Sequence, residues 1–256
     1  MIERIAALLS RGGGANAVLP ATDLYNEGWM LRLAIDWFDQ NRSTSFDLQF
    51  EPDARWYSEA LLPSAFLARE RGDKLAESWT HADGVIGHFE IGSNGAGDLV
   101  VAPTATQLIV TEAKMFSKLS PGVKKASYFN QAARNVACMA EVVKRANKSP
   151  YEFDRLGFLL IAPKSRIDEG VFAEHVELAS IKKTVERRVS EYHDEAKRKW
   201  YEAWFLPVLE SANIGCISWE SIIGVIRTAD PEMANDLERF YESYLQHNAW
   251  VKRRYT

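Results

Sequence analysis

Thr111-Glu112-Ala113-Lys114 closes an apolar run, Leu108-Ile109-Val110. Alternate residues of a strand share a face, so Leu108, Val110, Glu112 and Lys114 project to one side. Glu112 and Lys114 then stand about 6.5–7 Å apart along the strand. Asp98 follows the glycine-rich stretch Gly92-Ser93-Asn94-Gly95-Ala96-Gly97 and opens another short apolar run. If these two runs are neighbouring strands of one sheet, the carboxylates of Asp98 and Glu112 meet. Two carboxylates at one place suit Mg²⁺, which takes oxygen ligands and keeps several waters. A lysine beside them can orient or help deprotonate a water, or stabilise charge developing on a phosphate.

The elements that must position these groups are legible in outline. The spacing predicts a short helix over 2–10, stopped by Gly12-Gly13-Gly14, and a second over 22–40 with Thr22 or Asp23 as its cap. Residues 54–79 read as helical, interrupted near Pro63 and Gly72. The period then changes, and three short strands follow over 85–91, 98–102 and 107–114. A long helix is expected over 126–147, with Phe129, Ala132, Ala133, Val136, Ala140 and Val143 as its apolar stripe. Leu156–Ala162 is a continuous apolar run and reads as a fully buried strand. Residues 168–212 read as helical and highly charged, 215–219 as a last strand and 231–246 as a last helix. The expected class is α/β with a mixed central sheet flanked by helices. One domain over 1–256 is expected, with a core at 22–163 and a helical extension at 164–256 packed on it.

The Gly97-Asp98 pair, the 14 positions from 98 to 112, the apolar strand ending in Glu112-Ala113-Lys114 and the helix bearing Gln131 together resemble the PD-(D/E)XK nuclease superfamily, the restriction-endonuclease-like fold. Glycine stands where the family name has proline. The resemblance covers roughly residues 22–163 and implies an αβββαβ core. It implies a nuclease that hydrolyses DNA phosphodiester bonds with Mg²⁺, or Mn²⁺ in its place. Asp98, Glu112 and the Ala113 carbonyl would hold metal, and Lys114 would position or activate the attacking water. Gln131 would orient Lys114 or the substrate phosphate. Many relatives have Tyr four residues after this Gln, where Asn135 stands here. Glu27 would complete the metal shell; it shares a helical face with Leu24, Leu31, Ile35 and Phe38. A carboxylate on a core-facing stripe is costly unless paired or bound to a cation.

Plainer readings stand beside these. Glu112 and Lys114 could form a structural ion pair, Asp98 could be a turn residue, and Glu27 could favour a helix N-terminus. Glu90, on the first expected strand, could add a carboxylate. The net charge is -4 and the pI about 5.8, so overall charge gives nucleic-acid binding no support. Lys118, Lys124 and Lys125, clustered after the Glu112 strand, would supply local positive charge for phosphates. Lys182, Lys183, Arg187 and Arg188 alternate with acids and read as a solvated helix. The five histidines form no ligand pair, and Cys138 and Cys216 read as reduced core thiols. No apolar run is long enough to span a membrane, and a cytoplasmic protein is expected. The alternatives are a non-catalytic scaffold that keeps the fold for nucleic-acid or protein contact, or a nuclease subunit that docks a protein partner through its C-terminal helices. Oligomeric state is not legible.

Overall fold

A computed structural model describes residues 21–92, 98–115, 117–120, 122 and 126–255; side chains are described from 22 to 246. The helix expected over 2–10 and the residues Lys124 and Lys125 lie outside the described residues. The chain is α/β with a mixed five-stranded central sheet. It clusters into two compact units: one runs to Trp37 and resumes at Glu220, and the other is Phe38–Trp219.

The larger unit contains the sheet. Its strands are β1 (Arg55–Leu62), β2 (Thr80–Gly87), β5 (Gln107–Ala113), β6 (Arg155–Ala162) and β7 (Asn213–Ser218), side by side in that order. Strands β1, β2 and β5 are antiparallel neighbours, while β6 and β7 run parallel to β5. Every residue of β5 and all but the first of β6 are buried, as expected of strands covered on both faces. Strands β3 (Phe89–Ile91) and β4 (Leu99–Val101) form a separate two-stranded sheet.

Helix α3 (Gln131–Arg145) makes the crossover from β5 to the parallel strand β6. Asn130 caps it, its side chain accepting the N–H of Ala133. Phe129, Ala132, Ala133, Val136 and Ala140 share the main core cluster with Leu108, Val110, Phe158 and Leu160. Helix α6 (Leu178–Ser190) packs on α3, burying Ile181, Val185 and Val189. Arg188 is also buried, with its guanidinium over the rings of Phe66, Phe129 and Tyr192. Between these helices lie α4 (Lys164–Asp168) and α5 (Ala173–Val176); after α6 come α7 (Glu195–Trp200), a π-helical turn and α8 (Leu206–Ser211).

The smaller unit is helical. It includes α1 (Ala21–Leu24), most of α2 (Glu27–Gln40), α9 (Trp219–Ala229, from its second residue) and α10 (Pro231–Tyr255). The single helix expected over 22–40 divides at Asn26, whose Oδ1 accepts the N–H of Trp29 and so caps α2. Asp230 joins two elements: Oδ1 accepts the N–H of Met233 at the start of α10, and Oδ2 accepts Trp37 Nε1.

Residues 54–79 differ from expectation. Arg55–Leu62 is strand β1, and an irregular segment follows. Its helix-forming residues differ from strand formers by only tenths of a kcal/mol each, and seven ladder pairs with β2 outweigh that preference. The first expected strand also moves. It begins at Thr80 and breaks at His88, where Nδ1 accepts the N–H groups of Thr106 and Gln107. Both cysteines are free, and burial pushes the thiols up, to about 12 for Cys138 and about 11 for Cys216.

Candidate functional site

Glu112 is the centre of the site. Its side chain is fully buried near the end of β5, with Val110 and Leu108 below it on the α3 side of the sheet. Oε1 accepts from Lys114 Nζ at 2.5 Å and from Gln131 Nε2 at 2.5 Å. Oε2 accepts from Asn135 Nδ2 at 3.3 Å. Gln131 and Asn135 are one turn apart on α3, so they meet the same carboxylate. Asn135, a departure from the expected tyrosine, thus stands inside the site, fully buried.

Gln131 is held from its other side. Its backbone N–H donates to the Ser120 carbonyl, and its Oε1 accepts the Ser120 N–H at 3.2 Å. The return of the chain to Gln131 passes Gly122. A Cβ there would lie 2.4 Å from the carbonyl oxygens of Ala126 and Ser127, so only glycine fits.

The second carboxylate is Asp83, which the sequence reading did not single out. Strands β2 and β5 are paired up to Gly84 and Thr111. The next pair outward would be Asp83 and Glu112, and there the ladder gives way. Asp83 Oδ2 instead accepts the N–H of Ala113 at 2.8 Å. Asp83 and Glu112 are close enough for the charge of one to act on the other. Burial, then the charge of Asp83, push the Glu112 carboxyl up to about 8 against the pull of Lys114. The apolar pattern begins the strand at Val85, so Asp83 falls outside the expected element. The signal that could have found it is the alternation of Thr80 and Ala82, which extends the strand backwards.

Asp98 is not brought to Glu112. Strand β4 pairs with β3, not with β5. Asp98 itself bridges Leu61 of β1, whose partner on the other side is His81 of β2. In pairing order, strands β1 and β2 therefore stand between Asp98 and β5. The requirement that the two runs be sheet neighbours is not met, because the chain returns through a hairpin before β5 begins. Asp98 is buried, and its two carboxylate oxygens have no hydrogen-bond partner among the described residues.

Glu27 opens α2 in the smaller unit, where Tyr244 Oη donates to it at 3.2 Å. Lys118 is exposed just before Ser120. Glu90 is exposed on β3, opposite Val100. Ala113 is buried between Glu112 and Lys114.

Lys114 is fixed through its main chain. Its N–H donates to the Ile161 carbonyl at 2.8 Å. In a parallel ladder its own carbonyl would next receive the N–H of residue 163. That residue is Pro163, which has none. Trp219, fully buried, supplies the missing donor, Nε1 to the Lys114 carbonyl at 3.0 Å. The Lys114 side chain keeps 13% exposure, so the ammonium stands between the buried carboxylate and solvent.

The site is thus a fully buried glutamate, an aspartate beside it, one lysine and two amides. The carboxylates of Asp83 and Glu112 are oxygen donors of the kind that suits a hard divalent cation. No group of three or more His, Cys, Asp and Glu side chains converges among the described residues. Water or substrate oxygens would complete such a shell, which is the habit of Mg²⁺. Comparison of the chain with protein-family models, curated proteins and solved structures finds no match. No helix among the described residues is long and apolar enough to cross a membrane.

Proposed function

We propose that the chain is a Mg²⁺-dependent nuclease that hydrolyses DNA phosphodiester bonds, built on a restriction-endonuclease-like core. The observation that carries this reading is the meeting of Asp83, Glu112, Lys114 and Gln131 at one end of the sheet. An antiparallel β1-β2-β5 meander, a crossover helix and parallel β6 support the fold. Relative to the PD-(D/E)XK pattern, Asp83 takes the part first assigned to Asp98, with Ala82 in place of proline.

Asp83, Glu112 and the Ala113 carbonyl would hold Mg²⁺, with Mn²⁺ in its place. When bound, the metal supplies positive charge to the phosphate oxygens and lowers the pKa of a ligated water. Lys114 holds the attacking water by its ammonium and stabilises charge on the phosphate. Gln131 and Asn135 keep the Glu112 carboxylate in one orientation.

A second reading is a non-catalytic scaffold that binds nucleic acid or protein. It is favoured by the three donors that already satisfy Glu112. Linear and circular DNA incubated with Mg²⁺, Mn²⁺ or EDTA separate the two. Metal-dependent cleavage that disappears in Asp83→Asn, Glu112→Ala and Lys114→Ala is the expected result. DNA binding without cleavage under every metal would leave the scaffold.

A further inference from the structure

Next to Gln131 lies a groove of about 490 Å³. One wall is lined by Lys118, Leu119, Tyr128 and Asn130. The other is α6, from which Lys183, Thr184 and Arg187 line the groove at helical spacing. The guanidinium of Arg187 lies 3.6 Å from the centroid of the Tyr128 ring and so links the two walls. Its nearest carboxylate contact is long, 3.9 Å to Glu191. Neither Lys118 nor Lys183 forms an ion pair among the described residues. The groove has one acid, Glu174, beside His175.

The charges of this helical region are sorted rather than mixed. A second cavity, of about 540 Å³, draws on another side of α6 and on α7. Glu186, Asp194, Glu195 and Glu202 line it against Arg198 and His193. Cations that alternate with acids in sequence therefore face a different space from the acids. A polyanion is favoured in one cavity and repelled from the other.

We infer that the groove beside Gln131 holds the phosphate backbone of the DNA strand that flanks the reacting phosphate. Lys118, Lys183 and Arg187 contact phosphates, with Thr184 and Asn130 as neutral donors. This inference rests on the nuclease reading and gives the substrate strand its path: off the end of β5 and along α6. It assigns Lys183 and Arg187 to binding, where the sequence reads a solvated helix.

The test is binding of fluorescent single- and double-stranded DNA by anisotropy in EDTA, where cleavage is stopped. The double variant Lys183→Glu/Arg187→Glu is compared with Lys182→Glu/Lys199→Glu, which changes net charge equally outside the groove. All four positions are exposed, and circular dichroism melts confirm folding. The groove variant is expected to bind about tenfold or more weakly. The slope of log K against log salt should fall by about 1.4–1.8, two phosphate contacts' worth, while the control stays within about threefold. Equal weakening in both variants, unchanged binding in the groove variant, or no DNA binding by the wild type overturns the inference. So does polyglutamate binding as tight as DNA binding, which would assign the groove to an acidic peptide. Wild type that cleaves DNA while the groove variant binds and cleaves normally refutes the groove alone. Wild type that binds through the groove but fails to cleave with every metal tried refutes the nuclease reading alone.

Discussion

The Oδ2 of Asp83 accepts the backbone N–H of Ala113 at 2.8 Å, joining one strand's carboxylate to the residue between Glu112 and Lys114 on the next. The bond stands where the β2–β5 ladder ends. The side chain that supplies negative charge therefore also holds the two strand ends at a fixed spacing.

That relationship separates Asp83 from Asp98 in a direct way. Asp83→Asn can keep an acceptor for Ala113 but removes the charge. Metal-dependent cleavage should fall by about 10²-fold or more, the scale of losing a preorganised electrostatic group. Asp98→Asn should leave cleavage within about threefold, since two strands intervene. Initial rates on one DNA substrate check both. Equal losses in the two variants would return Asp98 to the site.

Lys114→Arg should not replace Lys114. The planar, forked guanidinium presents its donors differently from a compact ammonium. The expected outcome is a fall in kcat of about 10²-fold with KM little changed, because Lys114 acts on water and developing charge. A rise in KM alone would make Lys114 a substrate-binding residue.

Trp219→Phe keeps an aromatic ring and removes Nε1–H. The Lys114 carbonyl then lacks its donor, at a cost of about 1–3 kcal/mol. Thermal or urea unfolding measures it. Adding Pro163→Ala restores an N–H where the ladder would place one. The double variant should recover part of the loss, and strict additivity of the two changes would disprove the link.

Glu77 gives a pH dependence away from the site. It is buried, with Ser64 Oγ donating to Oε1 and no partner for Oε2 among the described residues. Burial raises its carboxyl above the ordinary 4.5, opposed by the Ser64 hydrogen bond and by Arg188 and Arg134. A raised folded-state value means that the folded chain binds the proton more tightly. That stability is fully present below the unfolded value and is lost as pH rises through the folded one. Glu77→Gln should remove this part of the decline. Unfolding free energies at several pH values check it, and an unchanged profile would refute it.

The sequence carried the E-x-K end of β5, the crossover helix, Gln131 and the buried β6, because each sits in a strong local pattern. Asp83 was hidden because the apolar pattern starts only at Val85, whereas the strand itself begins at Thr80. Strand β1 was hidden because Arg55–Leu62 has helix-forming residues and only its pairing with β2 makes it a strand. The misplaced Asp98 has another cause. Sequence order gives no sheet order, and the β3–β4 hairpin stands between two strands that are neighbours in space. Trp219 lay beyond any local signal, since it acts on a carbonyl 105 positions earlier.

The Pro163–Trp219 exchange also bears on synthesis. A nascent chain that has emerged only through β6 contains Asp83, Glu112, Lys114 and Gln131, and four of the five central strands. The indole that donates to its Lys114 carbonyl belongs to residue 219 and is made later. The last hydrogen bond on the lysine's main chain is thus made by a residue 105 positions later, and a product terminated before Trp219 would keep the β5–β6 register but leave that carbonyl without its indole donor.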